Sequence, residues 1–137
     1  MLQKRYMIIC VDFDGTIVEH MYPKIGKEVP GAIEGLQFLQ KQGHQLILYT
    51  MRSEKFLEEA VAFIKSKGID LYAVNENPTQ KEWTSSPKVY GHAYIDDAAI
   101  GSYLIHPEAE GSRPYIDWFQ VMLHFGHKGN YEEAIIR

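Results

Sequence analysis

Short apolar runs alternate along this chain with stretches whose apolar residues recur every three or four positions. The first run, Ile8-Ile9-Cys10-Val11, is continuously apolar, as suits a strand covered on both faces, and stops abruptly at Asp12. Residues 17–29 are polar and aromatic, broken by Pro23 and Gly26, and read as a flap or loop. Pro30 then suits the first turn of a helix with Ile33, Leu36 and Leu39 on one face and Gly43 to end it. Residues 45–49 form a second strand, and Ser53 caps a helix whose apolar face is Phe56, Leu57, Ala60, Val61 and Ile64, stopped by Gly68. A third short strand covers 71–74, and residues 75–87, rich in Asn, Ser and Pro, are a loop with room for one helical turn. Ala93-Tyr94-Ile95 is a fourth strand and 103–105 a fifth; Pro114 opens a helix through His124, and Asn130 caps a terminal helix with Glu133. This alternation predicts an α/β fold, a Rossmann-like central parallel sheet with helices on both faces, in one domain over residues 1–137.

Composition narrows the setting without naming a function. A chain of 137 residues buries roughly two-thirds of its unfolded surface as one domain. The net charge of −4 provides no general electrostatic footprint for nucleic acid or an anionic membrane. The single cysteine, Cys10, cannot pair within the chain and reads as a small core residue. No segment approaches the ~20 apolar residues of a membrane span, and the first apolar run meets Asp12 too soon for a signal peptide, so a cytoplasmic protein is expected. The six histidines show no metal-ligand spacing. Oligomeric state is not legible.

The chemistry gathers at strand ends. Asp12 and Asp14 end the first strand, Thr50 the second, and Asp96 and Asp97 the fourth, and in a parallel sheet these tips share one edge. Gly15 lets the chain turn after the first strand, so that exposed amides around Gly15 and Thr16 can meet a phosphate. Carboxylates brought together without cations repel and raise one another's pKa; a divalent ion with oxygen ligands, Mg²⁺ above all, removes that cost and neutralises a phosphate. Lys88, just before the fourth strand, adds a cation to the same pocket.

In motif order, from Ile8 to Gly101, the chain resembles the haloacid dehalogenase-like superfamily of phosphohydrolases. Asp12-Phe13-Asp14-Gly15-Thr16 matches its first motif, Thr50 its second and the Asp96-Asp97 pair its fourth. Lys88, eight positions before Asp96, matches the third at closer spacing than in many relatives, and Lys81 is the alternative. The resemblance implies that Asp12 attacks phosphorus and becomes an aspartyl phosphate, while Asp14 protonates the leaving oxygen and then deprotonates water, aided by a pKa raised among crowded carboxylates. It implies Mg²⁺ held by Asp12, the main-chain carbonyl of Asp14 and one or both of Asp96 and Asp97, with Thr50 on a phosphoryl oxygen and Lys88 steadying nucleophile and phosphate.

The intervals at 17–29 and 75–87 are too short for a cap domain, so the resemblance points to a capless or minimally capped phosphatase. Its phosphorylated substrate is a small molecule or a bulkier phosphorylated group. Contacts to it are expected from Met51 and Arg52, from His20, Met21, Tyr22 and Lys24 of the flap, and from Asn75 and Asn77. Rival readings are a receiver-like phosphoacceptor domain, a regulatory protein that keeps the fold without turnover, and a phosphotransferase. A receiver is expected to place its acidic pair on the first strand, the reverse of the order here, and dehalogenases lack the counterpart of Asp14.

Overall fold

The computed structural model describes residues 6–127. The run before Asp12 forms β1 (Ile8–Val11), which pairs in parallel with β2 (Gln45–Leu48) on one side and β4 (Ala93–Ile95) on the other. The two-residue β3 (Ala73–Val74) adds outside β2, so the sheet order is β3-β2-β1-β4. β1 lies at its centre, which is why Ile9, Cys10 and Val11 are all buried despite pointing alternately to opposite faces.

Between these strands run α1 (Ala32–Lys41) and α2 (Glu54–Ser66), as their apolar spacing predicts. Successive crossovers that step the same way along a parallel sheet put their helices on the same face. Accordingly Ile33, Leu36 and Leu39 of α1 and Ala60 and Ile64 of α2 share one core with Ile9, Val11, Leu46 and Leu48. Trp118 and Val121 of α3 (Trp118–His124) join that core too. The step from β3 back to β4 crosses the other face, where Cys10 and Ile47 pack with Val89 rather than with a helix. The expected layers of helices on both faces are thus corrected: among the described residues all three α-helices contribute to one core. Pro78, Ser85, Ser86 and Pro87 deny the segment 75–91 a long helix, and it makes only a 3₁₀ turn, Gln80–Glu82. Gln80 pins it by donating to the carbonyls of Ser86 (3.0 Å) and Lys88 (2.7 Å) and accepting from the N–H of Tyr90 (2.8 Å).

The C-terminal part brings a second correction. Pro114 does not open a helix. Tyr115–Ile116 is a strand, β6, antiparallel to β5 (Leu104–Ile105), and this pair stands apart from the main sheet. The helix starts only at Trp118 because the Asp117 carboxylate caps it, accepting from the N–H groups of Phe119 (3.1 Å) and Gln120 (3.3 Å). The β6 segment is held instead by Ile116 N–H on the carbonyl of Gly15 and Asp117 N–H on that of Tyr103. Trp118 completes the anchorage: its indole N–H donates to the Thr16 carbonyl at 2.6 Å, and its ring lies so close to Gly35 of α1 that any β-carbon there would collide with it. The terminal helix expected from Asn130 lies outside the described residues.

Candidate metal centre and active site

Strand order reverses between β1 and β4, since β2 and β3 extend the sheet on one side of β1 and β4 adds on the other. Such a switch point opens a crevice at the carboxyl ends of the two strands, and there β1 delivers Asp12 and β4 delivers Asp96 and Asp97. Carboxylate oxygens of these three residues lie within 4.8 Å of one another. Their backbone frame is fixed: Asp12 N–H donates to the Ile95 carbonyl at 2.9 Å, and Asp96 Oδ1 accepts from Ala98 N–H at 2.9 Å. The Ser102 hydroxyl donates to the Asp96 carbonyl at 2.6 Å.

Proximity has an electrostatic consequence. Burial, then the charge of Asp96, then Asp97 push the Asp12 carboxyl up from 3.8 to about 8. The crowding expected to act on Asp14 therefore falls on Asp12. Three hard oxygen donors, without thiol or imidazole among them, fit Mg²⁺ in kind, and a divalent cation would offset the burial and repulsion that raise the Asp12 carboxyl.

Asp14 is turned elsewhere. Arg52, whose side chain is 1% exposed, donates Nε to Asp14 Oδ2 and Nη2 to Asp14 Oδ1, both at 2.8 Å. The same guanidinium donates Nη1 to the carbonyl of Pro23 (3.0 Å) and Nη2 to that of Lys24 (2.8 Å), and it stacks between the rings of Phe13 and Tyr22. Four of its N–H donations are committed, so the expected substrate contact by Arg52 is corrected: it orients Asp14 and holds the flap tip down. Each Asp14 oxygen keeps a second lone pair, so the fork fixes the carboxylate without exhausting its capacity for a proton. The flap base is equally defined, with Val18 bridged to Glu28, and Glu19 N–H on the Lys27 carbonyl at 2.8 Å.

Gly15 and Thr16 act differently from the expectation of phosphate-facing amides. Gly15 N–H is taken by the Val18 carbonyl at 2.7 Å and Thr16 N–H by that of Phe13 at 3.2 Å. Gly15 is needed for its φ of +85° and because a side chain would strike the His20 imidazole and the Asp97 carboxylate. The buried Thr16 hydroxyl donates to Asp12 Oδ2 (3.2 Å) and accepts from Asp97 N–H (3.3 Å), tying β1 to β4. The Phe13 N–H donates to the Asp12 carboxylate, so among the described residues the unengaged amides of the strand tips are those of Asp14 and Met51.

Thr50 stands at the tip of β2, its N–H on Asn75 Oδ1 (2.8 Å) and its Oγ1 accepting from Arg52 N–H (3.2 Å), which leaves the hydroxyl hydrogen for an incoming oxygen. Asn75 thereby positions Thr50. Asn77 is buried and serves the loop, donating to the Tyr90 carbonyl and accepting from Thr79, so it is no substrate contact. Met51 projects fully into solvent beside the crevice.

Strand alternation puts Cys10, Tyr94 and Tyr49 on the face opposite the helices, and Asp12 and Asp96 continue that face. The Lys88 ammonium lies 5.6 Å from the centre of the Tyr94 ring, on the same face, and makes no ion pair with a described carboxylate. Lys81 sits in the 3₁₀ turn, and no contact connects it to the crevice among the described residues. His20 is expected from the sequence as a substrate contact of the flap, and its Nε2 lies 2.8 Å from Asp97 Oδ2 across 77 positions, a link to the acidic cluster that sequence reasoning missed. A histidine soon after the first motif was the sole available signal. Cys10 is buried, as expected, and burial pushes its thiol up to about 11.

No family model matches the chain, and no curated protein does. A solved structure of a conserved protein coded by a locus from Bacteroides thetaiotaomicron is similar, with 35% sequence identity and a TM-score of 0.73 over 95% of this chain and 98% of that one.

Proposed function

This chain belongs to the family of that conserved Bacteroides thetaiotaomicron protein, and from the site we propose that it is a Mg²⁺-dependent phosphomonoester hydrolase of the haloacid dehalogenase-like kind. The observation that carries the reading is the convergence of Asp12, Asp96 and Asp97 at the switch point while the buried guanidinium nearby is spent on Asp14. An acidic cluster with no described lysine or arginine paired to it is a costly arrangement unless a metal completes it.

In the proposed reaction an oxygen of Asp12 attacks phosphorus, the bond from phosphorus to the ester oxygen breaks, and Asp14 gives that oxygen a proton. Asp14 then takes a proton from water, whose oxygen attacks the aspartyl phosphate, and inorganic phosphate leaves with Asp12 restored. Arg52 holds Asp14 in orientation for both transfers. Thr50 donates its hydroxyl hydrogen to a phosphoryl oxygen, and the amides of Asp14 and Met51 are available to others. Mg²⁺, held by Asp12, Asp96 and Asp97 with the Asp14 carbonyl, would supply charge neutralisation for the nucleophile and the phosphoryl group.

Purified protein with Mg²⁺ should release phosphate from a generic monoester such as p-nitrophenyl phosphate. Accumulation of a stable phosphoprotein without phosphate release would favour the receiver-like reading, and transfer to an added alcohol in preference to water the phosphotransferase reading. Lys88→Ala should lower kcat about 10²-fold, the scale of a lost charge-stabilising contact, and Lys81→Ala by less than about twofold. The reverse ranking would assign the cation to Lys81.

Metal binding has a stability signature of its own. Asp12 is raised from 3.8 to about 8, so between those values the folded protein holds a proton that the unfolded chain has released. Stability of the metal-free protein should therefore fall as pH rises from about 4 to about 8. Since Mg²⁺ needs the ionised carboxylate, it should raise the thermal midpoint more at about pH 8 than at about pH 5. Equal shifts at both, or none, would contradict the assigned centre.

A further inference from the structure

His20 belongs to two places at once. Its Nε2 is bonded to Asp97, and its ring also lines a cleft of about 540 Å³ between the flap, residues 19–27, and the loop at 110–113. Such a volume suits the body of a small molecule. Lys24, Lys27 and Arg113 line this cleft, and none makes an ion pair with a described carboxylate. Glu19 and Glu110 also line it, leaving one net positive charge, His20 apart.

The floor of the site is acidic and the chain carries a net charge of −4, so an anionic substrate needs cations at the entrance. Arg52 is buried and committed to Asp14 and the flap, and Lys88 faces the Tyr94 ring on the β4 side. The cations left around the crevice on the flap side are those of the cleft. A second hollow, about 320 Å³, runs from Asp96 along β4, but its walls include Ile95, Ile100, Tyr103 and Phe125 and it holds no lysine or arginine. The geometry points to the flap cleft as the seat of a second anionic group of the substrate: the natural ester carries a carboxylate or a second phosphate besides the phosphoryl group that is removed. This inference rests on the phosphatase reading and names its substrate class.

A matched series tests it: propyl phosphate, the phosphate ester of hydroxypropionate, and propanediol bisphosphate. At least one of the doubly anionic esters should have a kcat/KM roughly 10-fold or more above propyl phosphate, carried mainly by KM, which is the scale of two exposed charge contacts. Which one leads tells carboxylate from phosphate. In the double variant Lys27→Ala, Arg113→Ala, two exposed positions whose loss should leave the fold intact, the ratio should fall to about two or less. A wild-type ratio near one, a ratio unchanged in the double variant, or preference for propyl phosphate would overturn the inference while leaving the hydrolase reading in place. Should none of the three be hydrolysed, the hydrolase reading fails separately, and calorimetric titration with propanediol bisphosphate decides the cleft. Binding tighter than that of propyl phosphate, and weakened in the double variant, upholds it; equal binding rejects it.

Discussion

Asp12→Asn is expected to abolish turnover, with a loss of about a thousandfold or more in kcat, because an amide oxygen cannot form the acyl phosphate on which both half-reactions depend. The substitution is nearly isosteric, and its side-chain oxygen can still accept from the Thr16 hydroxyl as Asp12 Oδ2 does. It also removes the carboxyl that burial, Asp96 and Asp97 push up to about 8. The variant should consequently fold, and its thermal midpoint should lose the decline with rising pH that Asp12 contributes. Inactivity together with that flattened profile separates loss of the nucleophile from loss of structure. Steady-state kinetics and thermal denaturation across pH measure the two, and a variant with wild-type kcat would remove Asp12 from the chemistry.

Arg52→Ala is expected to produce the largest loss of stability, about 3 kcal/mol or more, since it deletes one partner of an ion pair whose guanidinium is 1% exposed and whose carboxylate is 17% exposed. Asp14 loses both its bonds, and the carbonyls of Pro23 and Lys24 lose their donors, so the flap tip should loosen and kcat should fall along with stability. Arg52→Lys keeps the charge but not the fork, and should recover only part of either. Combining Arg52→Ala with Asp14→Ala should cost less than the sum of the single changes, because the uncompensated carboxylate is gone. Urea denaturation of the four proteins gives the coupling. A loss below about 1 kcal/mol for Arg52→Ala would mean that solvent replaces the pair at no great cost.

How far the sequence foretold this arrangement depends on whether the cause is local. β1, β2 and β4 were legible because a strand buried on both faces writes itself as a continuous apolar run, and each ends where a polar residue must reach the edge of the sheet. The spacing of Leu36 and Leu39, and of Ala60 and Ile64, likewise reports helix faces that are in fact buried. By contrast, Tyr115–Ile116 forms a strand because of its pairing with Leu104–Ile105 and a bond to Gly15, far away in the chain, while Asp117 holds the helix start back to Trp118. Nothing in residues 75–91 announced that they would cover a sheet face alone.

The site divides in the same way. Asp12, Asp96 and Asp97 end legible strands, and topology alone brings them together. Arg52 looked like a phosphate contact because sequence shows a cation beside Thr50 but not its acceptors, two of which are main-chain carbonyls 28 and 29 positions earlier. Thr16 and Gly15 carry the motif, yet their amides bond to the Phe13 and Val18 carbonyls of the turn itself, a use that no composition rule distinguishes from phosphate binding.

In the proposed reaction Asp12 carries the phosphoryl group during turnover. Wild-type protein turning over p-nitrophenyl phosphate with Mg²⁺ can be quenched in acid, reduced with borohydride and digested for peptide mass analysis. An acyl phosphate at Asp12 is predicted to appear as homoserine at position 12 and to be absent from Asp12→Asn. Phosphate release with no reduced residue at position 12, or with homoserine at another aspartate, would contradict it.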